Sequence, residues 1–177
     1  MGRLIVSTQM TLDGVIDVGE WYVADGEHDR AGKAQLGHAS AVLLGRKTYE
    51  GLAAYWSPLQ DDWARLINPI LKYVASRTLH GPLEWNSTLL EGDATEAVSR
   101  LKADLPSDLL MYGCGELARS LLAGTLVDEL RFWVHPVVWG SGQRPLQGEA
   151  QTRLRLLGSE AFDSGVTLLR YAPLAPS

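Results

Sequence analysis

Short apolar runs alternate with helically spaced apolar positions along the chain, and this alternation predicts an α/β fold. Residues 4–10 read as a strand that gives way to an acidic, glycine-punctuated loop over residues 13–19. Residues 28–36 read as a helix. Ala41, Val42, Leu43 and Leu44 form a wholly apolar strand, as expected for a strand covered on both faces. Gly45 breaks it, and a helix follows over residues 47–53. Residues 62–67 read as helical and stop before Pro69. Residues 72–75 form another short strand. Asp93 has the position of an N-cap, with Glu96 at capping-box spacing, and Ala94, Ala97, Val98, Leu101 and Leu105 recur with helical period. Residues 109–112 predict a strand, and residues 116–123 a helix closed by Gly124. A long strand is expected over residues 129–139, with Pro136 at an edge or an irregularity. Residues 153–161 and 166–171, around Asp163-Ser164-Gly165, read as a β-hairpin. Parallel-type units therefore come first and an antiparallel finish last, which a pure doubly wound fold lacks.

Composition narrows the function classes. The chain has 177 residues, 46% of them hydrophobic, a net charge of −5 and one cysteine. That length fits one domain over residues 1–177, large enough to need no disulfide or metal staple. Cys114 alone supports no disulfide framework and no multi-cysteine metal site. The acidic balance opposes a general nucleic-acid or membrane-surface binder. No signal-peptide pattern and no apolar run of ~20 residues is visible, so a soluble cytoplasmic protein is the expectation. His28, His38, His80 and His135 are scattered without the spacing of a metal pair, so no metal site is expected.

Three strand ends could carry chemistry. The first is Gly45-Arg46-Lys47-Thr48, where a buried strand runs into a glycine and a helix start. Free N–H groups and the positive dipole end of a helix bind phosphate. Arg46 and Lys47 oppose that dipole, an arrangement that hints at a bound anion; a tight turn with two solvated cations is the structural alternative. The second is Gly113-Cys114-Gly115-Glu116-Leu117-Ala118, a G-x-G-x-x-A turn between strand and helix. Its glycines allow close approach to a pyrophosphate, but the acid that a Rossmann unit places about 20 residues on is missing, since Asp128 and Glu129 come too early. The third is Ser76-Arg77, whose hydroxyl and guanidinium suit the 2′-phosphate of NADP as well as they suit an ordinary polar turn. All three follow strands, where open α/β sheets bind ligands.

Cys114 reads as a small residue tolerated in a turn rather than as a reactive thiol. Asp25, Glu27 and Asp29 cluster before the first helix, where acids also favour its N-terminus. Trp21, Tyr22, Tyr55 and Trp56 are the aromatics placed to flank a planar ligand, or to pack in a core or a dimer face.

The motif Gly45-Arg46-Lys47-Thr48-Tyr49-Glu50 resembles the helix start of dihydrofolate reductases. The wider pattern is similar to the dihydrofolate-reductase-like proteins that share the reductase domain of the bifunctional riboflavin-biosynthesis deaminase–reductase, the RibD C-terminal type. The resembling stretches are residues 7–16, 43–56, 72–79 and 113–142, with the closing Ser164-Gly165-Val166 turn. The resemblance implies a three-layer α/β/α fold, with a mostly parallel central sheet and an antiparallel C-terminal hairpin. It also implies NADPH as hydride donor, a homodimer, and reduction of a small heterocyclic, carbonyl or imine substrate. The family activity is reduction of 5-amino-6-(5-phosphoribosylamino)uracil. By motif, Gly45, Arg46, Lys47 and Thr48 would hold cofactor phosphates, and Ser76 and Arg77 would face the 2′-phosphate. Gly113, Cys114, Gly115, Glu116 and Leu117 would line the pyrophosphate and nicotinamide side. Asp13 lies in the loop that closes near the nicotinamide. Asp29, with Glu27 as alternative, falls near the acid of the first helix, and Trp21, Tyr55 and Trp56 are the substrate-side aromatics.

The sequence departs from the family pattern at Val15 after Asp13-Gly14, across the aromatic segment of residues 51–58, at Gly113-Cys114, and after Gly142. The cofactor half therefore matches better than the substrate half. The alternative reading is a non-catalytic NADP-binding or structural homodimer protein.

Overall fold

The computed structural model describes residues 2–148 and 151–175. Strands and helices follow one another as β1 (Leu4–Thr11), α1 (Gly26–Gly37), β2 (Ala41–Gly45), α2 (Arg46–Trp56), α3 (Asp62–Ile67), β3 (Lys72–Ala75) and β4 (Ser87–Leu89). The chain continues with α4 (Ala94–Asp104), β5 (Leu109–Tyr112), α5 (Glu116–Ala123), β6 (Glu129–His135), β7 (Leu154–Ala161) and β8 (Thr167–Pro173). One eight-stranded sheet runs in the order β4-β3-β2-β5-β1-β6-β8-β7. Its first six strands are parallel, and β8 and β7 close it antiparallel. The fold is α/β, with helices on both faces.

Strand alternation decides which face each side chain serves. Leu4, Val6, Leu43, Leu109, Met111 and Leu130 pack on one face with Val98 of α4 and Ala118 and Leu121 of α5. Ile5, Val42, Leu44, Val74 and Leu110 pack on the other with Leu36 of α1, Tyr49 of α2 and Ile67 of α3. β2 is apolar throughout because both of its faces are covered, and each of its leucines is worth about 1.5–3 kcal/mol of burial. A smaller cluster of Trp133, Phe162, Val166 and Leu168 ties the hairpin to Ala31 of α1. Among the described residues, no helix is long and apolar enough to cross a membrane.

The observed elements correct the sequence reading in three places. β6 stops at His135 instead of running to residue 139. Pro136 has no N–H for the ladder, and its ring packs against Gly165 of the β7–β8 turn, 3.1 Å from where a Cβ would stand. β4 was absent from the expectations. It is a three-residue, partly exposed edge strand without apolar alternation, entered through Trp85 (φ 60°) and Asn86 (φ 49°). Also, α2 extends past residue 53 to Trp56, which puts Tyr55 and Trp56 on a helix rather than in a loop.

Candidate active site

The carboxyl ends of β2, β3 and β5 are adjacent in the sheet, so the three turns that follow them meet. Gly113 adopts φ 92°, where a side chain is strained, and a Cβ there would lie 2.8 Å from Thr48 Oγ1. Thr48, in the first turn of α2, is thereby seated against the β5–α5 turn. Leu117, in the first turn of α5, reaches back to Gly45, with its Cδ2 3.9 Å from a Cβ position. Arg77, after β3, pairs with Glu116 at 3.6 Å. Gly45, Thr48, Arg77, Gly113, Glu116 and Leu117 thus form one continuous edge. This position at strand ends is where open α/β sheets take ligands.

The two helices that begin at this edge differ from the others. α1, α3 and α4 are capped by Asp25, Asp61 and Asp93, whose carboxylates accept backbone N–H groups. α2 and α5 begin at Gly45 and Gly115, and neither has a side-chain cap. Their first-turn N–H groups are left to an outside acceptor. The space where a Cβ of Gly115 would stand is open to 4 Å. Lys47 is exposed, Arg46 pairs with Glu50 at 3.1 Å in an exposed i,i+4 contact, and Arg77 is almost fully exposed. Ser76 uses its Oγ to accept from the amides of Thr78 and Leu79, shaping the turn that presents Arg77. Unspent donors and cations around an open glycine turn fit a phosphorylated cofactor.

Cys114 lies within this turn, but its side chain points into the core and is 1% exposed. Burial pushes its thiol up to about 12, so it is inert and can offer a ligand only its backbone.

The substrate-side residues fall on the face of α1. Asp29 is buried, accepting from Trp63 Nε1 at 2.5 Å and pairing with Lys33 at 2.9 Å. Glu27 is exposed on the first turn of the same helix. Burial, then the charges of Asp29 and Tyr55, push the Tyr22 phenol up to about 12. Tyr55 is exposed, edge-on to the half-buried Trp56, which tilts against Trp63.

Two sequence-derived candidates already have internal partners. Asp13 accepts from Thr11 Oγ1, Trp139 N and Gly140 N, and these bonds hold its carboxyl far below the usual carboxylate range. It clasps residues 12–17 to residues 137–143 and holds no proton near neutral pH. Trp21 is buried rather than presented to a ligand, donating to Asp17 O and packing edge-on to His135.

The sequence reading also passed over Trp63, Lys33, Gln35 and Tyr112. Lys33 was accessible in principle, because it stands four residues after Asp29 on the same helix. The Asp29–Trp63 contact spans 34 residues and leaves no local signal.

Residues 3–168 match the model of the RibD C-terminal domain. The chain belongs to this family. It is 31% identical to uncharacterized protein YyaP of Bacillus subtilis (strain 168), over 96% of this chain and 94% of that one. It is 29% identical to uncharacterized protein YwjB of the same organism, over 88% and 86%. A putative riboflavin biosynthesis protein from Shewanella sp. PV-4 superposes with a TM-score of 0.75 at 19% identity, over 99% and 100% of the two chains. A pyrimidine reductase-like protein from Corynebacterium diphtheriae gives 0.65 at 15% identity, over 99% and 93%. At these identities the solved structures share the fold of the family.

Proposed function

We propose that this protein is an NADPH-dependent reductase acting on a small heterocycle or on a carbonyl or imine substrate. The family is of reductase type and includes riboflavin-pathway proteins. The observation that carries the reading is the meeting of the three strand-end turns, with two uncapped helix starts and an exposed Arg77 on one edge. NADPH supplies hydride when bound. The N–H groups that follow Gly45 and Gly115, with Lys47 and Arg46, would hold its phosphates, and Arg77 would fork onto the 2′-phosphate. The Gly113 turn would hold the nicotinamide end, Asp29, Tyr22 and Tyr55 would border the substrate, and orientation is the larger part of such catalysis. The acceptor carbon gains hydride, and its nitrogen or oxygen gains a proton. The reduction of 5-amino-6-(5-phosphoribosylamino)uracil is the family activity to test first.

Calorimetry with NADPH and NADH is the direct experiment. The expected result is tight NADPH binding and weak NADH binding; no binding, or a preference for NADH, overturns the reading.

A second reading is favoured by two observations. Asp29 is already committed to Lys33 and Trp63, and the hairpin exposes Leu154, Leu156 and Leu157. On this reading the protein binds the cofactor without turnover and pairs with a second copy across that apolar face. NADPH binding without oxidation on the uracil substrate, dihydrofolate or small carbonyls supports it. Light scattering tests the dimer, which is discarded if a monomer persists at all concentrations.

A further inference from the structure

Among the described residues, one buried side-chain polar atom has no hydrogen-bond partner: the hydroxyl of Tyr112. Leaving a hydroxyl unpaired in the interior costs about 1–3 kcal/mol, and phenylalanine would fill the same space without that cost. Gln35 of α1 approaches it but makes no hydrogen bond of normal geometry with it; its amide donates one N–H to Ser7 Oγ at 2.9 Å and accepts from Arg131 at 3.0 Å. Burial pushes the phenol well above its ordinary range, so the group stays a neutral donor.

The position is specific. Tyr112 is the last residue of β5, and the next residue is Gly113 of the proposed cofactor turn. Its ring lies on the face of α1, α2 and α3, the face that also carries Trp56 and Trp63. Asp29 bonds to Trp63, and Tyr55 stands edge-on to Trp56. An orphan donor, an acid and a set of aromatic faces therefore border one region beside the turn. Aromatic side chains in such a group suit a flat, apolar-faced ligand, and a lone donor suits one with an acceptor atom on its edge.

We propose that Tyr112 is a substrate-contacting residue, its hydroxyl donating to a ring nitrogen or carbonyl oxygen on the edge of a flat heterocycle seated between β5 and the aromatic set of Trp56 and Trp63. This rests on the reductase reading for the identity of the neighbouring ligand, and it adds the group that fixes the substrate's orientation.

Tyr112→Phe tests it, because the ring and its packing are kept. Three quantities are measured for wild type and variant: the melting temperature of the free protein, the affinity for NADP⁺, and the affinity for 5-amino-6-(5-phosphoribosylamino)uracil and for dihydrofolate with NADP⁺ present. The expected result is a melting temperature unchanged or raised, unchanged NADP⁺ affinity, and about 10-fold or weaker binding of the heterocycle that wild type takes. A melting temperature lowered by several degrees shows that the hydroxyl already has an internal partner, such as an ordered water, and overturns the proposal. Equal heterocycle affinity in both proteins overturns it too, as does a wild type that takes NADP⁺ but neither heterocycle. A wild type that takes no NADP⁺ removes the reductase reading instead; the heterocycle titrations are then read without nucleotide, and equal or absent binding overturns the Tyr112 assignment.

Discussion

The two ends of the parallel strands use arginine in opposite ways. At the amino ends, Glu129 is 1% exposed and accepts from Arg131 at 2.7 Å and Arg170 at 2.6 Å, with Arg3 at 3.4 Å. Burial works against its charge, but hydrogen bonds from Arg170 and Arg131 outweigh that and hold its carboxyl below the ordinary range. Arg3 spends its remaining donors on Asp108. At the carboxyl ends, Arg46 and Arg77 make only exposed contacts at 3.1 Å and 3.6 Å, and Lys47 lies exposed on the same helix start. One end has satisfied its charges internally, whereas the other leaves them exposed in weak pairs. A count of charges cannot separate the two ends, since both contain arginines and carboxylates; burial and pairing do.

Removing the hub of the amino-end network is the strongest way to test this contrast. Glu129→Ala leaves Arg131 and Arg170 facing each other without an anion, and should cost about 3–5 kcal/mol in urea unfolding, with unchanged NADPH affinity in the folded fraction. A small loss would mean that the network is ornamental.

Acid challenges the carboxyl end through a buried group that keeps no charge. Burial, then the neighbouring His28, lowers His135 from 6.5 to about 4. Its unfolded form therefore binds the proton first. The stability this neutrality contributes is present above pH 6.5 and is lost as pH falls toward 4, by up to about 3 kcal/mol. The Glu129 shift acts in the same direction at lower pH. His135→Gln should flatten the profile between pH 6.5 and 4, and an unchanged profile would show that His135 is not the group that titrates there.

Arg77→Ala is the counterpart at the open end. It should weaken NADPH by ~1.5–3 kcal/mol, leave NADH nearly unchanged and leave stability within ~0.5 kcal/mol. Equal losses for both nucleotides would show that Arg77 reads something other than the 2′-phosphate. The smallest effect belongs to Glu50→Ala, which releases Arg46 from an exposed pair and should shift stability by less than about 0.5 kcal/mol.

Legibility followed the range of the interactions. Asp93 and its capped helix, the wholly apolar β2 and the Asp163-Ser164-Gly165 turn are set by neighbours within a few residues, so the pattern displays them. β4 was invisible because pairing with β3, not its own three residues, makes it a strand. The stop at His135 depends on Pro136 meeting Gly165 from the hairpin, although Pro136 itself had marked the irregularity. For the site, the three glycine- or arginine-bearing turns were each visible as local motifs. The internal contacts of Asp13 and Trp21 were not legible, because Trp139, Gly140 and His135 lie more than a hundred residues away.

By itself, the sequence determined the order of every element but β4, the parallel-then-antiparallel plan, the family resemblance and the residues of the three turns. These depend on periodicity, propensity and short motifs, which act over one or two turns of chain. Only the tertiary structure decided that Thr48 meets Gly113 and Arg77 meets Glu116, that Asp29 is held by Trp63, and that the Tyr112 hydroxyl is left without a partner. Those facts are distances between residues remote in sequence, and sheet order, which no local pattern encodes, sets them.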